Sequence, residues 1–257
     1  MNKIRLAVYL DAGHGLNTPG NRSPILQPDL RVGRDRNYMP EWEFNHKVVN
    51  CIRNYFMESV IPTDNVVLEV VHCSPGNTDD PLNHRVSIAN NHRKNFAPEY
   101  SVFVSIHANA FDGEWKYDDN SGTGTETFYH PNSEDGAILA NYIQHFTSAN
   151  HPLRNRGIKQ QGFYVLNRTT MPAVLFEGGF MDHLYDIQFL LDPEYHQYCG
   201  KQISHAIMKY FGYKLQSKIL FVEKSKQIEK EQDNGRVQDE LRDIIERLQR
   251  LAYSIGE

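Results

Sequence analysis

Leu6-Ala7-Val8-Tyr9-Leu10 runs without interruption into Asp11-Ala12-Gly13-His14-Gly15. Five apolar residues in a row, closed at once by a polar tip flanked with glycine, are the pattern of a strand covered on both faces. The pattern returns along the chain. Residues 66–71, 101–106, 125–129 and 173–176 are short runs rich in Val, Ile, Phe and Tyr, and a further strand is expected at 163–166. Between these runs the spacing turns helical. Over 43–57, Phe44, Val48, Ile52 and Phe56 recur every four positions with Val49 beside them. Residues 137–146 and 195–211 read alike, the latter through Tyr198, Ile203 and Ile207. Strands alternating with helices predict an α/β fold: a single domain with a mostly parallel central sheet flanked by helices, plus a C-terminal helical tail.

The bulk composition narrows the function. The chain has 257 residues, 40% hydrophobic and 23% charged, enough for one sizeable core and an appendage. A net charge of -5 gives no global attraction for nucleic acid, and none is expected as a partner. No stretch approaches the ~18–20 apolar residues of a membrane span, so no membrane insertion is expected. Cys51, Cys73 and Cys199 are odd in number and far apart, which predicts buried reduced thiols. The apolar run at 6–10 is too short for the core of a secretion signal, so synthesis in a cytoplasm without a signal peptide is expected.

Composition shifts near residue 212. Gly212 is expected to close the last globular helix, dividing the chain into a catalytic domain at 1–212 and a charged linker with an amphipathic helix at 213–257. Val237, Leu241, Ile244, Leu248, Leu251 and Ile255 follow a 4-3-4-3-4 spacing. Two arrangements satisfy such a seam. The favoured expectation is a short coiled coil and hence a homo-oligomer through this helix. The other is one amphipathic helix docked on its own domain. Asn234-Gly235 predicts a break just upstream.

Chemistry-bearing residues stand at the ends of the strands. The first run ends in His14, residues 101–106 end in His107, and residues 173–176 end in Glu177-Gly178-Gly179. Open α/β sheets bind ligands at the carboxyl ends of their strands, so two histidines and a glutamate converge on one edge. The glycines around them are expected to turn the backbone sharply and leave room for a substrate. Two neutral imidazoles and one carboxylate are the usual protein ligands of a hydrolytic zinc, and a second carboxylate then handles the proton of the attacking water. Glu41, at the start of the helix around 43–57, is a candidate third ligand, and Glu43 is its rival. The other ten histidines lack this placement and are expected at the surface or around the site.

Several further blocks occur in a fixed order: Glu41 with Asn45 four residues on, Leu82-Asn83-His84-Arg85, Ser105-Ile106-His107-Ala108-Asn109-Ala110, Gly124-Thr125-Glu126-Thr127-Phe128, and Pro172-Ala173-Val174-Leu175-Phe176-Glu177-Gly178-Gly179-Phe180-Met181. With Leu10-Asp11-Ala12-Gly13-His14-Gly15 they span roughly residues 4–212. In these blocks the chain resembles the zinc-dependent N-acetylmuramoyl-L-alanine amidases of the type 3 catalytic family, cell-wall hydrolases of bacteria and their phages. The resemblance implies zinc (Zn2+) on His14, Glu41 and His107, with Glu177 as the catalytic carboxylate. It favours Glu41 over Glu43, because the family places Asn four residues after that ligand. It implies a peptidoglycan substrate, cut at the amide between the lactyl group of N-acetylmuramic acid and L-alanine. It also suggests action on the wall after phage-type release, or as part of a virion.

Other residues carry plainer expectations. Arg85 is read as a buried structural ion pair, Glu126 as an acceptor inside a strand, and Arg154, Arg156 and Lys159 as either a solvated loop or a grip on stem-peptide carboxylates. Asp182-His183 departs from the small hydroxyl residue and Asn common in the family. The aromatic-tipped loop at 112–121, with Trp115 and Tyr117, is a candidate lid or a plain insertion. Two rival functions share the same residues: a zinc peptidase cutting within the stem peptide, and a non-catalytic wall-binding or virion component.

Overall fold

The computed structural model describes residues 3–31, 33–59, 65–118, 122–228 and 235–253. Six strands form one sheet: β1 (Ile4–Ala12), β2 (Val66–His72), β3 (Tyr100–Asn109), β4 (Thr125–Tyr129), β5 (Asn155–Gln160) and β6 (Ala173–Phe180). Their order is β2-β1-β3-β6-β4-β5, and every neighbouring pair is parallel except β4 with β6.

The strands bury residues toward both faces, with a period of two. From β1, Leu6, Val8, Leu10 and Ala12 enter one core, and Ala7 and Tyr9 enter the other. From β3, Val102, Val104, Ile106 and Ala108 face the first core and Phe103 the second. The first face is covered by α1 (Glu41–Ser59), α3 (Glu134–Ser148) and α6 (Pro193–Ile228). Their contacts include Phe44, Val48 and Ile52 of α1, Leu139 and Ile143 of α3, and Ile203 and Ile207 of α6. The second face is covered by α2 (Leu82–Phe96) and α4 (Tyr164–Arg168), through Val86, Ala89, Val165 and Leu166. A short helix, α5 (Asp186–Leu191), follows β6.

Three expectations change. The strand expected at 163–166 is the helix α4, and the strand of that region is β5, earlier in the chain. Asn-Arg-Gly-Ile-Lys-Gln of β5 lies at the sheet edge, mostly half-exposed, where no apolar run is required. Gly212 does not close a helix: α6 continues through it to Ile228, about 54 Å in all at 1.5 Å per residue. The domain division expected at 212 therefore falls inside α6.

The seam is the third change. Helix α7 (Gly235–Tyr253) folds back onto its own domain. Ile244 and Ile245 are buried against Leu215 of α6, with Ile4, Val66, Tyr100, Leu241 and Leu248 packed around them. The seam positions Leu241, Ile244 and Leu248 are thus satisfied within one chain, which is the docked arrangement rather than the self-associating one. The side chains of Val237 and Leu251, and residues Asn234 and Ile255, lie outside the described residues. Among the described residues, no helix is long and apolar enough to cross a membrane.

Candidate active site

The strand registers place the chemistry in one row. His107 of β3 lies opposite Glu177 of β6, and Glu177 lies opposite Glu126 of β4. Ala12 of β1 is level with Ile106, so His14 follows just beyond the sheet edge. His14 has φ +62°, a left-handed conformation that costs a non-glycine residue about 1–2 kcal/mol. Arg85 holds the backbone there. Its guanidinium donates to the His14 carbonyl at 2.9 Å, to the Ala12 carbonyl, and to Asp11 Oδ1 at 2.8 Å. Ser74 and Ser105 also donate to the Asp11 carboxylate, at 3.0 and 2.7 Å. Arg85 is fully buried, so the ion-pair expectation holds and this side chain frames the site.

Gly179 has the positive φ (+143°) expected of a glycine that turns the backbone, whereas Gly13 and Gly178 serve packing. A Cβ on Gly13 would lie 2.2 Å from His107 Cε1, and one on Gly178 would lie 2.3 Å from Phe44 Cζ. They let the protein's own rings close in, rather than leave room for substrate.

Glu41 is the first residue of α1 and is buried. One carboxylate oxygen accepts from His107 Nδ1 at 2.9 Å, from the Ala108 amide at 3.2 Å and from Asn45 Nδ2 at 3.3 Å. The other lies 3.2 Å from His14 Nε2. Glu43 points elsewhere and pairs with Arg34 and Lys47. The structure therefore brings Glu41, and not Glu43, to the two histidines. Donor atoms of His14, Glu41 and His107 lie within 4.8 Å of one another. The rings of His14 and His107 meet edge-on, with centroids 5.0 Å apart.

This donor set fits zinc. Bonds of ~2.0–2.1 Å in a tetrahedron separate ligand atoms by about 3.3 Å. The 3.2 Å between His14 Nε2 and Glu41 Oε2 matches that edge. Three protein ligands leave a fourth position for solvent or substrate.

Electrostatics separates the two glutamates. Burial raises the Glu41 carboxyl, but the hydrogen bond and charge of His107, with His14 and Asn21, outweigh it and pull the group down to about 2. Burial likewise lowers His107, yet Glu41, Glu177 and Asp11 lift it to about 9. Glu177 goes the other way. Burial, with the charges of Glu41 and Glu126, raises it to about 8 against the pull of His107. Its Oε2 is buried and, among the described residues, has no hydrogen-bond partner. Glu126 is buried too, but it accepts from Asn109 at 2.9 Å, from Arg156 at 2.6 Å and from Lys159. It is the internal acceptor expected, and Arg156 and Lys159 pair with it from the partly exposed edge strand.

A cleft of about 540 Å³ opens beside this row. Its lining includes His14, His107 and Glu177 together with Asp79, Asp80, Leu82, Phe163 and Tyr164. The loop after β3 is pinned over its neighbour. Asp182 is buried and accepts from the backbone amides of Phe111, Asp112 and Gly113 at 2.7–3.0 Å. Trp115 donates to the Ile25 carbonyl at 3.1 Å and packs on the main core, while Tyr117 is exposed. The Asp182 departure thus ties down this loop, and Trp115 points inward rather than tipping a lid.

Sequence reasoning missed Asn21, whose Nδ2 lies 3.0 Å from His14 Nε2 and 3.1 Å from Glu41 Oε2. Nothing in the pattern around it marks it among the other asparagines of a long loop. Of the ten histidines expected at the surface or around the site, His183, His196 and His205 are buried.

A family model described as N-acetylmuramoyl-L-alanine amidase matches residues 8–209. An uncharacterised cell wall amidase of Bacillus anthracis is 31% identical over 216 residues, covering 80% of this chain and 36% of that protein. The chain therefore spans about a third of that relative's length. A germination-specific N-acetylmuramoyl-L-alanine amidase of Bacillus subtilis is 27% identical, with 79% of each chain covered. Among solved structures, an N-acetylmuramoyl-L-alanine amidase of Clostridium difficile superimposes with a TM-score of 0.63 at 26% identity, over 82% of this chain and 98% of that one.

Proposed function

The chain belongs to the N-acetylmuramoyl-L-alanine amidase family, and from that premise we propose that it hydrolyses the amide between N-acetylmuramic acid and L-alanine in peptidoglycan. His14, Glu41 and His107 hold zinc, and Glu177 moves the proton. The observation that carries this reading is the pairing of a tight His-Glu-His donor set with a second, differently tuned carboxylate one strand away. Zinc bound there supplies a Lewis acid that acidifies water and stabilises oxyanion charge.

The rest of the chemistry falls to the chain. Glu177, set beside His107 with a buried oxygen that has no hydrogen-bond partner among the described residues, accepts in its ionised form the proton of the attacking water and returns it to the departing L-alanine nitrogen. Glu126 cannot share that task, because Asn109, Arg156 and Lys159 already occupy its oxygens. The cleft of about 540 Å³ that His14, His107 and Glu177 share with the 79–82 segment and Phe163-Tyr164 is where the substrate would sit. Arg85 and Asp11 keep His14 in its strained turn.

A muropeptide digest with and without chelator tests the proposal. The expected products are intact stem peptides with new free L-alanine amino groups, abolished by chelation. Cleavage within the stem would support a zinc peptidase instead. Binding without turnover in the presence of zinc would support a non-catalytic wall-binding component.

A further inference from the structure

Asn21 touches the candidate metal ligands through its side chain, from a loop whose backbone also meets the Glu41 amide. Its Nδ2 lies 3.0 Å from His14 Nε2 and 3.1 Å from Glu41 Oε2, and those two atoms are 3.2 Å from each other. One amide nitrogen therefore sits over both atoms at hydrogen-bonding distance. The neighbours fix the orientation of that amide. Turned over, its oxygen would face the Glu41 carboxylate oxygen with no proton between them.

A neutral imidazole nitrogen that accepts a hydrogen bond has one in-plane lone pair. When His14 Nε2 accepts from Asn21, that lone pair is committed and cannot also bind a cation. Glu41 Oε2 is contacted by the same group. Asn45, the other amide at the site, reaches only Oε1, which already accepts from His107. Among the described residues, Asn21 is the amide that reaches both His14 Nε2 and Glu41 Oε2.

We propose that Asn21 is a positioning residue that competes with the metal: its amide holds His14 and Glu41 together in the metal-free protein and gives them up when the cation binds. This rests on the metal-site reading above. The geometry makes the exchange local. The Asn21 carbonyl accepts from the Glu41 amide at 3.0 Å, and the loop beyond is fixed by Ser23 to Met39 at 2.9 Å, Leu26 to Asn37 at 2.8 Å and Trp115 to Ile25 at 3.1 Å. The backbone stays while the side chain rotates away. The metal-free site is thereby kept assembled instead of splaying its carboxylate and imidazoles into solvent, at some cost in affinity.

The test uses the full chain and zinc alone, with dissociation constants from chelator competition and melting temperatures with and without zinc. Asn21→Ala is expected to tighten zinc binding about three- to tenfold, the worth of one lost competing hydrogen bond. It should also lower the melting temperature of the metal-free protein, so that the shift produced by zinc grows. If Asn21→Ala does not fold without metal, Asn21→Ser gives the same comparison, because its hydroxyl is too short to reach both ligands. A folded variant with unchanged or weaker zinc affinity overturns the inference. Failure of the wild-type chain to bind zinc overturns the metal-site reading itself and is read separately.

Discussion

The two ends of the central sheet are built on opposite principles. At the carboxyl ends of β1, β3 and β6 stand His14, His107 and Glu177, with Glu126, near the amino end of the antiparallel β4, beside them and Arg85 and Asp11 buried. One backbone turn there is strained, and polar groups hold one another in place. At the amino ends stand Ile4, Val66 and Tyr100, packed beneath α7. One end is organised by charge and directional bonds, the other by burial of apolar surface. Substitutions at the first should cost chemistry and metal with little loss of fold. Substitutions at the second should cost stability and leave the chemistry alone.

The sharpest contrast lies within α1. Glu41→Gln or His107→Ala should lose stoichiometric zinc and reduce hydrolysis to background, whereas Glu43→Gln, which only breaks pairs with Arg34 and Lys47, should keep both. Metal analysis of purified variants checks this, and full zinc occupancy in Glu41→Gln would break the assignment. At the opposite end, Ile245→Ala should cost about 2–3 kcal/mol in urea unfolding while kcat/KM stays within about twofold. A large loss of activity at unchanged stability would mean that α7 serves the site after all.

A smaller effect comes from acid. His205 is buried, accepts no ready proton, and meets the Tyr55 hydroxyl at 2.8 Å. Burial, helped by Lys201, lowers it to about 4. The unfolded chain takes up that proton near pH 6.5 and the folded one only near 4, so its stabilising contribution is full above about 6.5 and is lost as pH falls toward 4. Unfolding free energies at pH 7 and pH 5 should differ by about 2 kcal/mol from this residue, and His205→Gln should flatten that dependence. An unchanged slope in the variant would show that His205 is not the group responsible.

The charged end was the more legible from sequence. His14, His107 and Glu177 each terminate an apolar run, and strand geometry alone brings such tips together. Glu41 needed the helix start to be placed, and the residues alone left Glu43 open until the family resemblance, with its Asn four residues on, favoured Glu41. Asn21 was invisible because its role is set by how an aperiodic loop folds back, which no local pattern encodes. The apolar end was read less well for a different reason. An amphipathic seam is the same whether it meets a second copy or its own domain, and what decides between them is the apolar edge of Ile4, Val66 and Tyr100 that α7 packs against. Strand β5 escaped because an edge strand needs no apolar run, and the helix through Gly212 because tertiary packing overrides one unfavourable residue.

The central claim is that Glu177 moves the proton while the His-Glu-His set holds the metal, two duties on neighbouring strands. The direct measurement is zinc content together with muropeptide hydrolysis for Glu177→Gln. The account predicts full zinc, an unchanged fold and a rate at least about 10²-fold lower. A zinc-loaded Glu177→Gln that still hydrolyses at the wild-type rate would contradict it.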